Sequence, residues 1–71
     1  MSKKIVVFGG SGFIGTHLVW KLSQVEGNQV GVFTRTPMKS MLPPGVVPIE
    51  GDIRYLVDVY QALEGCDEVY H

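Results

Sequence analysis

The chain has 71 residues, of which 45% are hydrophobic and 18% charged, so it is long enough for one compact unit, too short for two, and too apolar to be disordered. Six basic and seven acidic residues give a net charge of -1, which offers nucleic acid no basic surface. The single cysteine excludes an internal disulfide and a multi-cysteine metal site. No apolar run approaches the ~18 residues of a membrane span. We expect a soluble protein of the cytoplasm or another reducing compartment.

The first half of the chain predicts a strand, a helix and a second strand. Residues 5–8 are an unbroken run of β-branched and aromatic residues, typical of a strand buried on both faces of a parallel sheet. After a glycine-rich segment, apolar residues recur at helical spacing and predict a helix that ends at Gly27; they are Ile14, Leu18, Leu22 and Val25. Residues 29–34 predict the second strand.

The second half of the chain predicts the same alternation with shorter elements. Residues 36–44 hold three of the four prolines and predict a loop. Residues 46–50 predict a third strand, and Pro48, which has no amide hydrogen, favours a place at the sheet edge. Residues 56–63 match the helical template, and 67–71 begin a fourth strand. The apolar positions that match the template are Leu56, Val59, Tyr60 and Leu63.

Three glycines between the first strand and the first helix have a G-x-x-G-x-x-G spacing: Gly9, Gly12 and Gly15. At such a junction the first glycine permits a sharp turn, the second lets backbone N–H groups approach a pyrophosphate, and the third lets the helix pack close to the strand. The helix N-terminus adds N–H donors and about half a positive charge. The pattern predicts a dinucleotide site, and a glycine-rich turn without a ligand is the alternative.

Residues 7–15, Val-Phe-Gly-Gly-Ser-Gly-Phe-Ile-Gly, resemble the nucleotide-binding motif of the extended and atypical short-chain dehydrogenase/reductase families. These families include the NAD(P)-dependent epimerase/dehydratase and NmrA-like groups. Residues 51–54 and 62–71 resemble the same families, so the likeness covers the whole chain but only the N-terminal portion of such a protein. The resemblance implies that five residues of the loop bind the cofactor: Gly9, Gly12, Phe13, Ile14 and Gly15.

Two positions depart from the family pattern. Phe8 precedes the first motif glycine, where the family often has threonine. Tyr55 precedes the second predicted helix, where the family often has an aspartate that caps it, and the loss of such a cap costs about 1 kcal/mol. Neither position contacts a phosphate in the family pattern, so the predicted cofactor site is unchanged.

The predicted fold is α/β, the N-terminal part of a Rossmann-type doubly wound parallel sheet with strand order 3-2-1-4. Only the helix at 56–63 would cover one face, so we expect strand 5–8 to be short of cover and the fourth strand to be an exposed edge. A core of this size rarely supplies more than ~3–5 kcal/mol. We therefore expect residues 1–71 to be an incomplete dinucleotide-binding domain, whose fourth strand pairs with the remainder of the polypeptide or with a protein partner.

The end of the second strand indicates which dinucleotide is bound. NAD-binding units carry an acidic residue about 20 positions past the glycines, where it binds the ribose hydroxyls. Thr34 occupies that place, Arg35 follows it, and no acidic residue occurs between Glu26 and Glu50. A carboxylate would repel a 2′-phosphate, whereas a guanidinium would bind it through charge-assisted hydrogen bonds. We expect NADP(H) to be favoured over NAD(H), with a solvated Arg35 as the alternative.

The residues after the third strand have two interpretations. The resemblance implies that Asp52 and Ile53 line the adenine pocket, where the aspartate accepts a hydrogen bond from the exocyclic amine and the isoleucine packs on the ring. The residues themselves leave open a turn aspartate after Gly51 and a core isoleucine.

The chain lacks the acid–base residues of the resembling families. Their proton donor is a tyrosine followed four residues later by lysine, and Tyr55 and Tyr60 are followed at that distance by valine and glutamate. No catalytic residue and no metal site is therefore predicted. We expect the NADP(H)-binding portion of an oxidoreductase or nucleotide-sugar epimerase. The alternative is a non-catalytic Rossmann-like subunit of a larger assembly that holds a structural nucleotide.

Overall fold

A computed structural model describes residues 2–9, 13–35 and 42–71. The elements in chain order are strand β1 (Lys3–Phe8), helix α1 (Phe13–Ser23), strand β2 (Asn28–Thr34), strand β3 (Val47–Glu50), helix α2 (Leu56–Leu63) and strand β4 (Glu68–Tyr70). The alternation of strands and helices confirms the predicted α/β fold.

The strands form one parallel sheet in the order β3-β2-β1-β4, which confirms the predicted 3-2-1-4 arrangement. In the register, Val7 of β1 lies between Val32 of β2 and Tyr70 of β4. Because the strands are parallel, their carboxyl ends lie at one edge of the sheet, where ligands bind in open α/β folds. Pro48 lies in β3, an outer strand of this sheet, as its missing amide hydrogen predicted.

Strand β1 is buried on both faces. Ile5 and Val7 pack on the α1 side with Val19, Val30 and Val32. Val6 points to the α2 side, where it packs with Phe33 and Ala62. The side chains of residues 5–7 are at most 2% exposed. The expectation that this strand would be short of cover is therefore wrong, because an aromatic ring from the neighbouring strand fills the second face.

Helix α1 is shorter than predicted. It ends at Ser23, so Val25 lies outside the helix and is 56% exposed, and its predicted place in the buried stripe is wrong. The side-chain amide of Asn28 donates to the Leu22 carbonyl at 2.9 Å and thereby satisfies an oxygen near the helix end. Gly27, with φ of +90°, then turns the chain into β2 in a left-handed conformation.

Helix α2 faces the sheet with a different side from the predicted one. Ala62 is its buried residue, and Val59 packs against the same cluster. Leu56 and Tyr60, which match the helical template, are each 69% exposed and do not belong to the face that packs on the sheet. A helix that presents residues 59 and 62 to the sheet rotates residues 56 and 60 away from it. No helix among the described residues has the length and apolar character needed to cross a membrane.

Candidate nucleotide-binding cleft

A cleft of about 700 Å³ opens at the carboxyl edge of the sheet. Residues at or just after the ends of all four strands line it. Phe8 ends β1 and Gly9 follows it, and Phe33 and Thr34 end β2 with Arg35 after them. Residues 51–54 follow β3, and His71 follows β4. Its volume is in the range of small-molecule sites. The structure therefore brings together one glycine of the predicted loop and all four residues predicted to contact the adenosine half of the cofactor.

Gly9 ends β1 in a conformation that favours glycine. Its φ is +75°, and a Cβ built on it would meet no atom within 4 Å, so the backbone faces open space. Phe13, Ile14 and Gly15 form the first turn of α1. The predicted role of Gly12 lies outside the described residues.

Two aromatic rings form the apolar wall of the cleft. Phe8 and Phe33 are register partners in β1 and β2, and their ring centroids lie 4.8 Å apart at a tilt of 38°. His71 approaches Phe8 with a centroid distance of 6.3 Å. A Cβ on Gly51 would lie 2.7 Å from the Phe33 ring, so the glycine lets this ring pack against the turn after β3. Neither ring was among the residues predicted to form the site.

The residues of the predicted ribose site lie at the end of β2. Thr34 is half-buried, and its carbonyl oxygen accepts a hydrogen bond from the Gly51 amide at 3.0 Å. Arg35 is exposed and lines the cleft. Its guanidinium forms no ion pair with another described residue. The positive charge of Arg35 therefore lies at the edge of the cleft, next to the end of β2.

Asp52 is held by Arg54, a contact that the sequence analysis did not predict. The Arg54 Nε donates to both carboxylate oxygens at 3.0 and 3.1 Å, and a terminal nitrogen donates to Oδ2 at 2.6 Å. The Arg54 backbone amide donates to Oδ1 at 2.9 Å. These bonds, first those of the Arg54 side chain, lower the pKa of Asp52 to about 2, so its carboxylate is ionised at neutral pH.

The two interpretations of the segment after β3 are partly reconciled. Asp52 bonds the backbone two residues ahead, as a turn aspartate does, and it also lines the cleft. Ile53 is 54% exposed and lines the cleft, so the alternative of a core isoleucine is wrong.

The N-terminus of α2 has no capping aspartate, and an acidic residue in its first turn forms a hydrogen bond to the preceding turn instead. Tyr55 is the N-cap residue and forms no side-chain cap hydrogen bond. Asp58, in the first turn of α2, instead accepts a hydrogen bond from the Asp52 amide at 3.0 Å. The acidic side chain also lies favourably near the positive end of the helix dipole. The helix is thereby tied directly to the turn that carries Asp52.

The chain is similar in sequence to known proteins. A family model described as NAD(P)H-binding matches residues 9–71. The chain is 37% identical over 68 residues to a 3-beta-hydroxysteroid dehydrogenase of Mycolicibacterium neoaurum, covering 96% of this chain and 18% of that protein. It is 39% identical over 70 residues to the decarboxylating sterol-4-alpha-carboxylate 3-dehydrogenase of Mus musculus, covering 99% of this chain and 18% of that protein.

A solved structure agrees with the sequence comparisons. A Rossmann-fold NAD(P)-binding family protein from Shigella flexneri superposes with a TM-score of 0.82 and 25% identity. The match covers 99% of this chain and 36% of that one. The chain thus spans 18% of the length of the curated relatives it matches and about a third of the solved structure.

Proposed function

This chain belongs to the NAD(P)H-binding family, in the extended short-chain dehydrogenase/reductase group, and from that membership we propose that it is the NADP(H)-binding portion of an oxidoreductase or nucleotide-sugar epimerase. The relatives are named as dehydrogenases, which favours this reading over a non-catalytic subunit with a structural nucleotide. The observation that carries the NADP(H) preference is the guanidinium of Arg35, which lines the cleft and forms no ion pair with another described residue.

The glycine loop is proposed to bind the pyrophosphate. Gly9 supports this because its backbone is open to the cleft and a Cβ there would meet nothing. The N-terminal turn of α1 supports it because backbone N–H groups and the helix dipole favour an anion. The proposed contacts come from Gly9, Gly12, Phe13, Ile14 and Gly15.

The adenosine half of the cofactor is proposed to lie along the ends of β2 and β3. Arg35 and Thr34 would bind the 2′-phosphate, and Ile53 would pack on the adenine ring beside Asp52. The Asp52 carboxylate is ionised at neutral pH and carries only acceptor atoms, so it is suited to accept a hydrogen bond from the exocyclic amine. This arrangement leaves both ends of the nucleoside in contact with groups of matching chemistry.

The bound cofactor would supply a hydride for the reaction, and the residues of this chain would bind and orient it. Tyr55 and Tyr60 are followed four residues later by valine and glutamate rather than lysine, so neither is assigned proton transfer. We assign cofactor binding to these residues of the chain's cleft.

Titration calorimetry with NADPH and NADH tests the proposed preference. Loss of one charged hydrogen-bonded contact costs ~1.5–3 kcal/mol, so Arg35→Ala should weaken NADPH binding about 10- to 100-fold. NADH, which lacks the 2′-phosphate, should bind the variant and the unmutated protein alike. Equal affinity of the unmutated protein for both nucleotides would contradict the preference.

For β4 we propose pairing with a further strand, from a longer polypeptide or from a protein partner. Within the described sheet β4 pairs on one side with β1, and its central residue, Val69, is 50% exposed. An apolar strand edge of this kind favours association. Sedimentation and thermal unfolding of residues 1–71 test this proposal, and a cooperatively melting monomer without nucleotide or partner would contradict it.

A further inference from the structure

Three charged side chains surround the mouth of the cleft: Arg35, Asp52 and Arg54. The β2–β3 register pairs Thr34 with Glu50, so the residues that follow each strand come out side by side. Arg35 and Asp52 also line a second, smaller hollow of about 330 Å³ next to the cleft. The carboxylate of Asp52 is therefore bonded to one guanidinium, that of Arg54, and lines the same two cavities as the other, that of Arg35.

The two arginines interact with the Asp52 carboxylate in different ways. Arg54 engages both of its oxygens through three side-chain contacts between 2.6 and 3.1 Å. Arg35 forms no ion pair with a described residue, although its charge helps to lower the pKa of Asp52. Two other carboxylates line the smaller hollow: Asp58, which accepts the hydrogen bond from the Asp52 amide, and Glu50, which is exposed. Of these three carboxylates, Asp52 is the one that lines both the cleft and the smaller hollow, as Arg35 does.

We propose that Arg54 is a positioning residue for cofactor choice: it occupies the Asp52 carboxylate and so leaves the Arg35 guanidinium available to a 2′-phosphate. The inference rests on the proposed NADP(H) preference and deepens it. Without Arg54, Asp52 would form its ion pair with Arg35, and a phosphate would have to compete with that carboxylate. This competition for Arg35 weakens NADPH binding and leaves NADH binding nearly unchanged.

The ratio of NADPH to NADH affinity is the first readout. Arg54 is 70% exposed, so Arg54→Ala removes no core contact. We expect this variant to lower the ratio roughly fivefold, the scale of one surface charge interaction. Arg54→Lys retains a cation beside Asp52 and should keep most of the preference. An unchanged ratio in Arg54→Ala would overturn the proposal.

The matched control removes the carboxylate charge. In an Asp52→Asn background, no carboxylate can pair with Arg35, so adding Arg54→Ala should leave the ratio unchanged. The adenine contact of residue 52 is common to both nucleotides and cancels in the ratio. If Arg54→Ala lowers the ratio equally in both backgrounds, Arg54 contacts the phosphate itself and the positioning role is wrong.

A second readout needs no nucleotide. NMR titration of the Asp52 carboxyl should show a pKa that rises in Arg54→Ala and rises further when Arg35→Ala is added, because Arg35 takes over the ion pair. Equal pKa values in the single and double variants would overturn the exchange between the two arginines. Should the unmutated protein show no NADPH preference, the proposed cofactor choice fails, and this comparison still decides whether Arg54 keeps Asp52 from Arg35.

Discussion

At the amino ends of β1 and β4 charged side chains join the two strands, whereas at the carboxyl ends of the same sheet one charged side chain lines the cleft without an ion pair to another described residue. Lys3 Nζ lies 3.0 Å from the Glu68 carboxylate, and the Lys4 amide donates to the Asp67 carboxylate at 2.8 Å. At the other end Asp52 is matched by Arg54, but the guanidinium of Arg35 has no ion pair among the described residues.

The difference shows how a small sheet separates structure from function. Contacts at the amino ends join residues more than 60 positions apart and therefore fix the register of β1 with β4. The carboxyl edge instead combines an open backbone at Gly9, an aromatic wall and a cation, Arg35, that forms no ion pair within the described part of the chain. Charge that the fold does not use is available to a ligand, so substitutions at the two ends should have separable effects.

The largest expected effect is at the carboxyl edge, with Gly12→Val. If the backbone there contacts the pyrophosphate, a branched side chain must displace the ligand, and calorimetry should detect no nucleotide binding. Far-UV circular dichroism should keep much of the helix signal, because the substitution precedes α1 and leaves its buried Val19 in place.

A control separates this effect from general damage to the sheet. Val25→Ala changes an exposed residue between α1 and β2 and should leave nucleotide affinity unchanged. If Gly12→Val bound nucleotide with unaltered affinity, the glycine loop would be a turn without a ligand.

A smaller effect is expected from adding a methyl group at two glycines, Gly51 in the turn after β3 and Gly31 inside β2. At Gly51 the new Cβ would lie 2.7 and 2.8 Å from the Phe33 ring and 3.2 Å from the Cβ of Asp58. The ring is 4% exposed and packed on Phe8, so it has little room to move. Gly51→Ala should therefore lower the free energy of unfolding by ~1–3 kcal/mol and also weaken nucleotide binding.

Gly31→Ala is the matched variant inside β2. Its Cβ would lie 2.6 Å from Cδ1 of Ile49, the flexible end of a half-buried side chain on the outer strand β3. A rotamer change relieves this contact, and alanine reduces the entropy of the unfolded chain. Urea unfolding should show a smaller loss than for Gly51→Ala, with nucleotide affinity unchanged. Equal losses for the two variants would contradict the assigned role of the Phe33 ring.

The order of the elements could be predicted from the sequence, whereas the face that α2 turns to the sheet could not. A run such as residues 5–8 has one interpretation, because a short β-branched segment before a glycine turn favours a buried parallel strand. In α2 the apolar residues extend more than halfway around the helix, since Leu56, Val57 and Tyr60 are exposed while Val59 and Ala62 face the sheet. The spacing of apolar residues was therefore compatible with more than one buried face of α2, and packing against Val6 and Phe33 determines which face is buried.

The sequence predicted those cleft residues whose position depends only on their following a strand. Arg35, Asp52 and Ile53 follow β2 and β3, so strand order alone brings them to one edge. The contact of Arg54 with Asp52 could not be predicted in this way, because it depends on the backbone conformation of a turn two residues long. A basic residue two positions after a turn aspartate is nevertheless a pattern worth testing for such a pair.

The smallest expected effect is at the amino ends, with Glu68→Gln. Both partners of the Lys3–Glu68 ion pair are well exposed, so its loss should lower Tm by no more than a few degrees at neutral pH and leave nucleotide affinity unchanged.

The Lys3 ammonium holds the pKa of Glu68 below its usual value, so the pair stabilises the fold above the ordinary glutamate pKa. That contribution is lost as the pH falls through the lowered pKa. Thermal unfolding at neutral and acidic pH checks this: the difference between the variant and the unmutated protein should shrink in acid and in high salt. A change in nucleotide affinity with Glu68→Gln would show that the two ends of the sheet are coupled.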